Sequence, residues 1–220
     1  MPRRCGLCRS RGYRLGCPAC ELRQPSLFDP PPPPPSPEEL AELDHLARVR
    51  RELEAARQRR LAELAALGRP VRVALIGCGK DKADHPAPAR ELYRGRLFKL
   101  ALRYALSFAD ETFILSARHG LVRLDEELAP YNVSMSQLRL AERAVWGEQT
   151  ANRLDAALPD LPLAIIGLAG RLYLGPLWPH CTLRGWAVHE PLHGLGVGKR
   201  LAWLARGLRE RERETSTPSP

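Results

Sequence analysis

Residues 71–82 read VRVALIGCGKDK. Val71–Ile76 is a short apolar run, the mark of a strand buried on both faces of a sheet. It breaks into Gly77-Cys78-Gly79-Lys80, which resembles a phosphate loop in outline. A Walker loop needs G-x-x-x-x-G-K and then Ser or Thr to hold magnesium. Here Asp81 follows Lys80. A dinucleotide fingerprint needs a third glycine at a helix start, and position 82 is lysine. Neither nucleotide motif fits. What remains is a turn at the carboxyl end of a first strand, where open α/β sheets bind ligands. The backbone N–H groups of Gly77 and Gly79, with Lys80 and Lys82, can form an anion nest. Asp81, Asp84 and His85 are candidate proton handlers beside it. Cys78 reads as a small buried residue rather than a nucleophile.

Downstream, the hydrophobic period alternates between helix and strand. Leu97–Phe108 reads as a helix, Thr112–Ser116 as a second strand, and Ser134–Leu158 as a long helix with Ser134 and Gln137 as its capping box. Leu163–Gly167 reads as a third strand and Gly170–Leu177 as a short helix. Thr182–Val188 reads as a last strand and Val197–Arg213 as a closing helix. This order predicts an α/β fold of three layers, a mostly parallel sheet with helices on both faces.

Upstream, Pro30–Pro35 predicts a stiff extended spacer. Ser36-Pro37-Glu38-Glu39 then supplies an N-cap serine, proline at the first helical position and glutamate at N3. Leu40, Leu43, Leu46, Val49, Leu53 and Ala56 follow at helical steps. The stripe slips near Arg60, resumes at Leu61, Leu64 and Leu67, and stops at Gly68 and Pro70. A helix of this reach is ~45 Å long. Its thin apolar stripe suits docking along the body, or a weak homodimer through residues 38–67. Four segments result: a cysteine-rich head at 1–29, a spacer and charged helix at 30–68, the α/β domain at 69–207, and a polar tail at 208–220.

The 220-residue chain carries 34 Lys and Arg against 25 Asp and Glu, a formal net charge of +9. An excess of this size favours polyanionic partners, nucleic acid first, although an arginine-rich genome explains part of it equally well. No apolar run approaches the ~20 residues of a membrane span. The Arg/Cys-rich start lacks the apolar segment of a secretory signal. The expectation is a soluble, cytoplasmic protein with no membrane partner.

Four of the six cysteines stand as Cys5-x-x-Cys8 and Cys17-x-x-Cys20. Paired knuckles of this kind surround one tetrahedral Zn²⁺ with four thiolates, leaving no open position for chemistry. The expected small zinc knuckle is therefore structural. Arg3, Arg4, Arg9, Arg11 and Arg14 around it suit contact with phosphates. Next comes Gln24-Pro25-Ser26-Leu27-Phe28. It resembles the pentapeptide by which bacterial proteins dock on the replication sliding clamp. Gln24, Leu27 and Phe28 would be the contacts, and Pro25 departs from the usual leucine. The alternative is that Leu27 and Phe28 fold back on this chain.

The second strand ends Ser116-Ala117-Arg118-His119-Gly120-Leu121. Its loop is expected at the same sheet edge as the first turn, with His119 placed for acid/base work or a substrate hydrogen bond. Pro130, Tyr131 and Asn132 add an aromatic platform. The run from Gly194 to Arg200, GLGVGKR, opens the last helix with glycines. Gly196, Gly198, Lys199 and Arg200 are thus candidates for a second anion site. Any of these loops can equally be an ordinary surface turn.

Three blocks, IGCGKDK…PAPARELYRGRLF, FILSARHGLV…LAPY and PLHGLGVGKRLAWL, together resemble an uncharacterised bacterial and phage family. That family is more distantly similar to the YaaA peroxide-stress proteins. Their S-x-x-[YH]-G-L-[LV]…P-Y signature is matched by Ser116, His119, Gly120, Leu121, Val122, Pro130 and Tyr131. The resemblance covers residues 71–204 and leaves out the head, spacer and long helix. It implies an α/β domain associated with DNA, DNA damage or modified bases, with kinship to base-handling glycosylase-like domains. It carries no settled reaction. Arg118 stands where lysine is expected and keeps the charge.

Two functions from different classes follow. The first is a nucleic-acid-associated enzyme that cleaves or exchanges an N-glycosidic bond. Asp81 or Asp84 would stabilise the cationic sugar, His119 would serve the leaving base, and Lys80, Lys82, Lys199 and Arg200 would clamp phosphate. The second is a non-catalytic, zinc-dependent DNA-binding or recruitment factor. A nucleotide-binding domain with no polymer partner is a third.

Overall fold

Strand β1 (Val71–Gly77) sits at the centre of the domain because its side chains are apolar on both faces. Val71, Val73 and Leu75 enter one core, and Ala74 and Ile76 enter the other. That is the period of two expected of a strand covered on both sides. Its neighbours are β3 (Glu111–Ser116) on one side and β6 (Leu163–Leu168) on the other, both parallel to it. A computed structural model describes residues 34–216. Cys5, Cys8, Cys17, Cys20, Gln24, Leu27 and Phe28, and with them the expected knuckle and clamp peptide, lie outside the described residues.

The five-stranded sheet has the order β4-β3-β1-β6-β7, with β4 at Gly120–Arg123 and β7 at Ala187–His189. Three pairings are parallel, and β4 runs antiparallel to β3. The sheet is therefore mixed. Between β1 and β3 lie a two-residue strand β2 (Ala87–Pro88), a short helix α2 (Ala89–Leu92) and α3 (Arg96–Phe108). Strand β2 pairs with β5 (Glu127–Leu128) in a separate two-stranded ladder. Helix α4 (Leu140–Ala157) leads to β6, α5 (Arg171–Leu183) joins β6 to β7, and α6 (Val197–Ser216) closes the fold. Phe98 and Ala101 of α3 and Leu204 of α6 fill one core. Trp146 and Leu154 of α4 and Leu174 and Leu177 of α5 fill the other. Helices therefore cover both faces, as expected. Each fully buried Leu or Ile of these layers stabilises the fold by about 1.5–3 kcal/mol relative to exposure.

Two compact units divide the chain, residues 1–54 and 55–220. In the first, helix α1 (Pro37–Ala65) begins with the expected capping box: the Ser36 N–H donates to Glu39 Oε2 at 2.7 Å and the Glu39 N–H to Ser36 Oγ at 3.2 Å. Leu40, Leu43, Leu46 and Leu53 are exposed. In the second unit, residues 55–65 continue the helix. Leu64 is buried and Leu61 packs beside it. Arg60, where the apolar stripe slips, pairs with Glu111 Oε1 at 2.7 Å and donates to the Asp110 carbonyl at 2.8 Å. The irregularity in the pattern is thus an ionic attachment point.

Two boundaries differ from expectation. Ser134 and Gln137 do form a capping box, but it opens a single 3₁₀ turn, Met135–Gln137, that buries Met135. The chain extends at Leu138, and α4 starts at Leu140 with Glu142 Oε2 accepting the Arg139 N–H at 2.6 Å. Helix α5 runs to Leu183 through Pro176 and Pro179, so Thr182 is helical and the last strand begins only at Ala187. The stop is Gly185 at φ +71, a left-handed position glycine occupies without a Cβ clash. There the Trp186 N–H returns to the Cys181 carbonyl at 3.2 Å, closing a Schellman-type end.

Candidate functional site

Strands β1 and β6 are neighbours, but their connections leave in opposite directions. Helix α3 follows β1 on one face and α5 follows β6 on the other. The crevice between their carboxyl ends is the switch point where such sheets bind ligands. The two turns approach closely: a Cβ on Gly77 would stand 3.2 Å from Ala169 Cβ.

Helices α3, α5 and α6 follow parallel strands and so begin at this edge. The first two start at Gly95 and Gly170 without a side-chain cap, and none of the three has an acidic residue in its first turn. Their free N–H groups and the positive ends of their dipoles favour an anion here. By contrast, α1 and α4 carry Glu39 and Glu142 in their first turns.

The turns of β1 and β3 meet over Tyr131. Ser116 Oγ accepts the N–H groups of Arg118 at 3.2 Å and His119 at 3.0 Å. With both lone pairs used, its own proton goes to Tyr131 Oη at 2.7 Å. Tyr131 Oη lies 2.8 Å from Tyr93 Oη. Lys82 Nζ sits 4.4 Å from the centre of the Tyr131 ring and 5.7 Å from that of Tyr93. His119 packs edge-on at 5.0 Å, and the Arg118 guanidinium lies 5.9 Å away. Tyr131 is buried, so the expected open platform is instead a ring enclosed by lysine, arginine and histidine. On the β6 side, Cys78 Sγ lies 3.1 Å from Tyr173 Oη, in the first turn of α5.

Burial pushes the Tyr93 phenol up to about 12. It raises Tyr131 and Tyr173 further, with the neighbouring Cys78 adding to burial. All three phenols are protonated at neutral pH. Burial, then the Arg118 charge, lowers His119 below its ordinary 6.5. It is a neutral imidazole at pH 7.

The expected residues divide. Gly77, Gly79, Lys82, Ser116, Arg118, His119 and Tyr131 come together. Lys80 and Asp81 are exposed on the same turn, and the Asp81 carbonyl accepts the Arg94 N–H at 2.9 Å. The Asp81 carboxylate lies beside Gly95, where the start of α3 stabilises negative charge. Asp84 turns to solvent, paired with His85 at 2.8 Å, and that hydrogen bond lowers its pKa. Arg200 reaches the β6 turn: its Nη1 stands 3.9 Å from where a Cβ on Gly170 would be, while its Nε donates to the Leu195 carbonyl at 2.7 Å. Gly196, Gly198 and Lys199 are exposed at the start of α6. Tyr93, Tyr173 and the contact of Cys78 were not foreseen. Tyr93 stands at the end of α2 and Tyr173 in the first turn of α5, both outside the turns that mark the site.

Strand order and connections define a doubly wound α/β domain with lysine and arginine gathered at the carboxyl edge of its sheet, over a buried chain of hydroxyls. The chain belongs to the family of unknown function DUF6884, whose model matches residues 73–206. No curated protein matches it. Among the described residues no helix is long and apolar enough to cross a membrane.

Proposed function

We propose that the domain is nucleic-acid-associated and takes a nucleotide at the β1–β6 edge, with cleavage or exchange of its N-glycosidic bond as the chemistry. One observation carries this reading: Lys82 and Arg118 flank a buried Ser116–Tyr131–Tyr93 hydroxyl chain where the β1 and β3 turns meet, beside the β1–β6 edge at which α3 and α5 start uncapped and Arg200 reaches the β6 turn. The cations and helix starts suit a phosphate, and the buried hydroxyl chain holds the Tyr131 ring that Lys82 and Arg118 stand against. Asp81 is the better carboxylate for a developing sugar cation, because Asp84 is tied to His85 in solvent. His119, neutral at pH 7, would hydrogen-bond the departing base. The seven-residue similarity to YaaA proteins points the same way.

Titrating the full chain with nucleoside monophosphates and assaying base release from short oligonucleotides tests the reading. Lys82→Met or Arg200→Ala is expected to weaken nucleotide binding about tenfold each, the worth of one charge-assisted contact. Asp81→Ala and His119→Ala should abolish base release. Because the His119 pKa is depressed, release should hold steady at neutral pH and rise only below 6.5, as the ring protonates and becomes a stronger donor to the departing base. A chain that neither binds a nucleotide nor releases a base would sink the proposal.

The zinc knuckle is a proposal on spacing alone. Metal analysis of the purified protein should give about one zinc per chain, lost on Cys5→Ser with Cys8→Ser. An unchanged zinc content in that variant would exclude these ligands. Clamp binding through Gln24, Leu27 and Phe28 is likewise proposed.

A further inference from the structure

On the face carrying α3 and α6, a groove of about 790 Å³ runs between the two helices. One wall presents Arg94, Arg96, Lys99 and Arg103; the other is built of small and apolar residues such as Gly198 and Ala202. No carboxylate lines it. Arg94, Arg96 and Lys99 are exposed and make no ion pair within 4.0 Å among the described residues. Only Arg103, lower down, has Glu212 at 3.8 Å.

The position of these cations is costly for an isolated fold. Arg96 is the first residue of α3 and Lys99 the fourth, while Lys199 and Arg200 fall in the first turn of α6. Helix starts favour negative side chains, and cations there are repelled by the dipole. The chain follows that preference in α1 and α4, with Glu39 and Glu142, and reverses it around the groove mouth. An external polyanion would turn this repulsion into attraction.

We infer that the α3–α6 groove binds one strand of a nucleic acid through its phosphates and leads it to the sheet-edge crevice. Along α3, Lys99 stands ~4.5 Å and Arg103 ~10 Å from Arg96 in rise. Successive phosphates advance about 3.4 Å per step along a duplex axis, so the row spans about three steps. The opposite wall offers no aromatic ring for stacking, so contact is with backbone and neutral to sequence. A concave groove between helices fits a strand and not a flat bilayer. Its mouth is joined to the crevice by the Arg94 N–H on the Asp81 carbonyl and the bridge between Lys82 and Tyr93. The inference rests on the nucleic-acid reading above but concerns a different surface.

The test uses the full chain and a fluorescent oligothymidylate of about a dozen nucleotides, with anisotropy read between about 50 and 200 mM salt. The triple variant Arg94→Ala, Arg96→Ala, Lys99→Ala should bind about 10–30-fold more weakly at low salt. Its log–log salt slope should be shallower by about 2. The control Arg48→Ala, Arg50→Ala, Arg51→Ala removes equal charge from α1 and should stay within about twofold of the parent. Equal losses in both triples, or none in the first, would overturn the inference. So would groove-dependent binding to phosphatidylserine vesicles without oligonucleotide binding. Thymidine monophosphate separates the two ideas. If it binds while the groove variant keeps full oligonucleotide affinity, the groove fails and the nucleotide reading stands. If it does not bind while oligonucleotide binding depends on the groove, the groove stands and the nucleotide site fails.

Discussion

Gly147→Ala is expected to destabilise the domain by about 2–3 kcal/mol, although alanine is the better helix former. Gly147 lies in α4 where it crosses α5 backbone to backbone. A Cβ there would stand 2.1 Å from the Pro176 carbonyl oxygen, 2.6 Å from its carbon and 3.2 Å from the Leu177 nitrogen. None of these atoms is the end of a flexible side chain, so the helices must separate. Separation loosens Trp146, Leu154, Leu174 and Leu177, which fill the core on that face. Gly175→Ala is the control. It lies in α5, is exposed, and would meet only Arg171 Cγ at 4.0 Å. It should gain about 0.5–1 kcal/mol from helix propensity. Urea unfolding of both variants decides the matter. A Gly147 variant within about 0.5 kcal/mol of the parent would mean that the crossing is looser than described.

Asp110→Ala should cost about 2–3 kcal/mol at neutral pH, because one carboxylate closes the loop between α3 and β3 onto the start of β1. Its Oδ2 accepts the Arg72 N–H at 2.9 Å and Arg69 Nη1 at 2.7 Å. Its Oδ1 accepts Arg69 Nη2 at 2.9 Å and Arg72 Nη2 at 3.2 Å. The Arg69 hydrogen bond, then those of Arg72, hold the carboxyl well below the usual range. A depressed folded pKa contributes stability that is present above the unfolded value near 4 and is lost as pH falls through the folded one. The parent should therefore lose stability on acidification below about pH 4 more steeply than the alanine variant, and the two curves should converge. Parallel curves in denaturant melts at descending pH would rule out Asp110 as the source.

The fold was legible where burial on both faces leaves a simple mark. The runs at 71–76, 112–116 and 163–167 are apolar because helices cover them on each side, and two parallel pairings follow, β1 with β3 and β1 with β6. Strand β4 and the β2–β5 ladder were not legible. Four residues, or two, hold no period, and β4 is defined by the tight turn through Gly120 rather than by its composition. Helix α5 outruns the expected 170–177 because the packed helix tolerates Pro176 and Pro179 and stops only at Gly185.

The site divides in the same way. The GCGKDK and SARHGL turns were readable as neighbours because both follow central parallel strands. Tyr93 and Tyr173 were not, because Tyr93 is placed by its bridge to Lys82 after α2 and Tyr173 by the packing of α5. Asp84 and His85 satisfy each other in solvent, which residue type alone does not reveal.

Trp146 offers something of practical use. Its indole N–H donates to the Ser116 carbonyl at 2.9 Å, and its ring meets Tyr173 edge-on at 5.7 Å. One chromophore therefore touches both walls of the crevice, from behind, without standing where a ligand would. Its emission is a built-in gauge of whether those walls move apart when the edge is filled. A phenylalanine at the other three tryptophans, Trp178, Trp186 and Trp203, would leave that signal to be read alone.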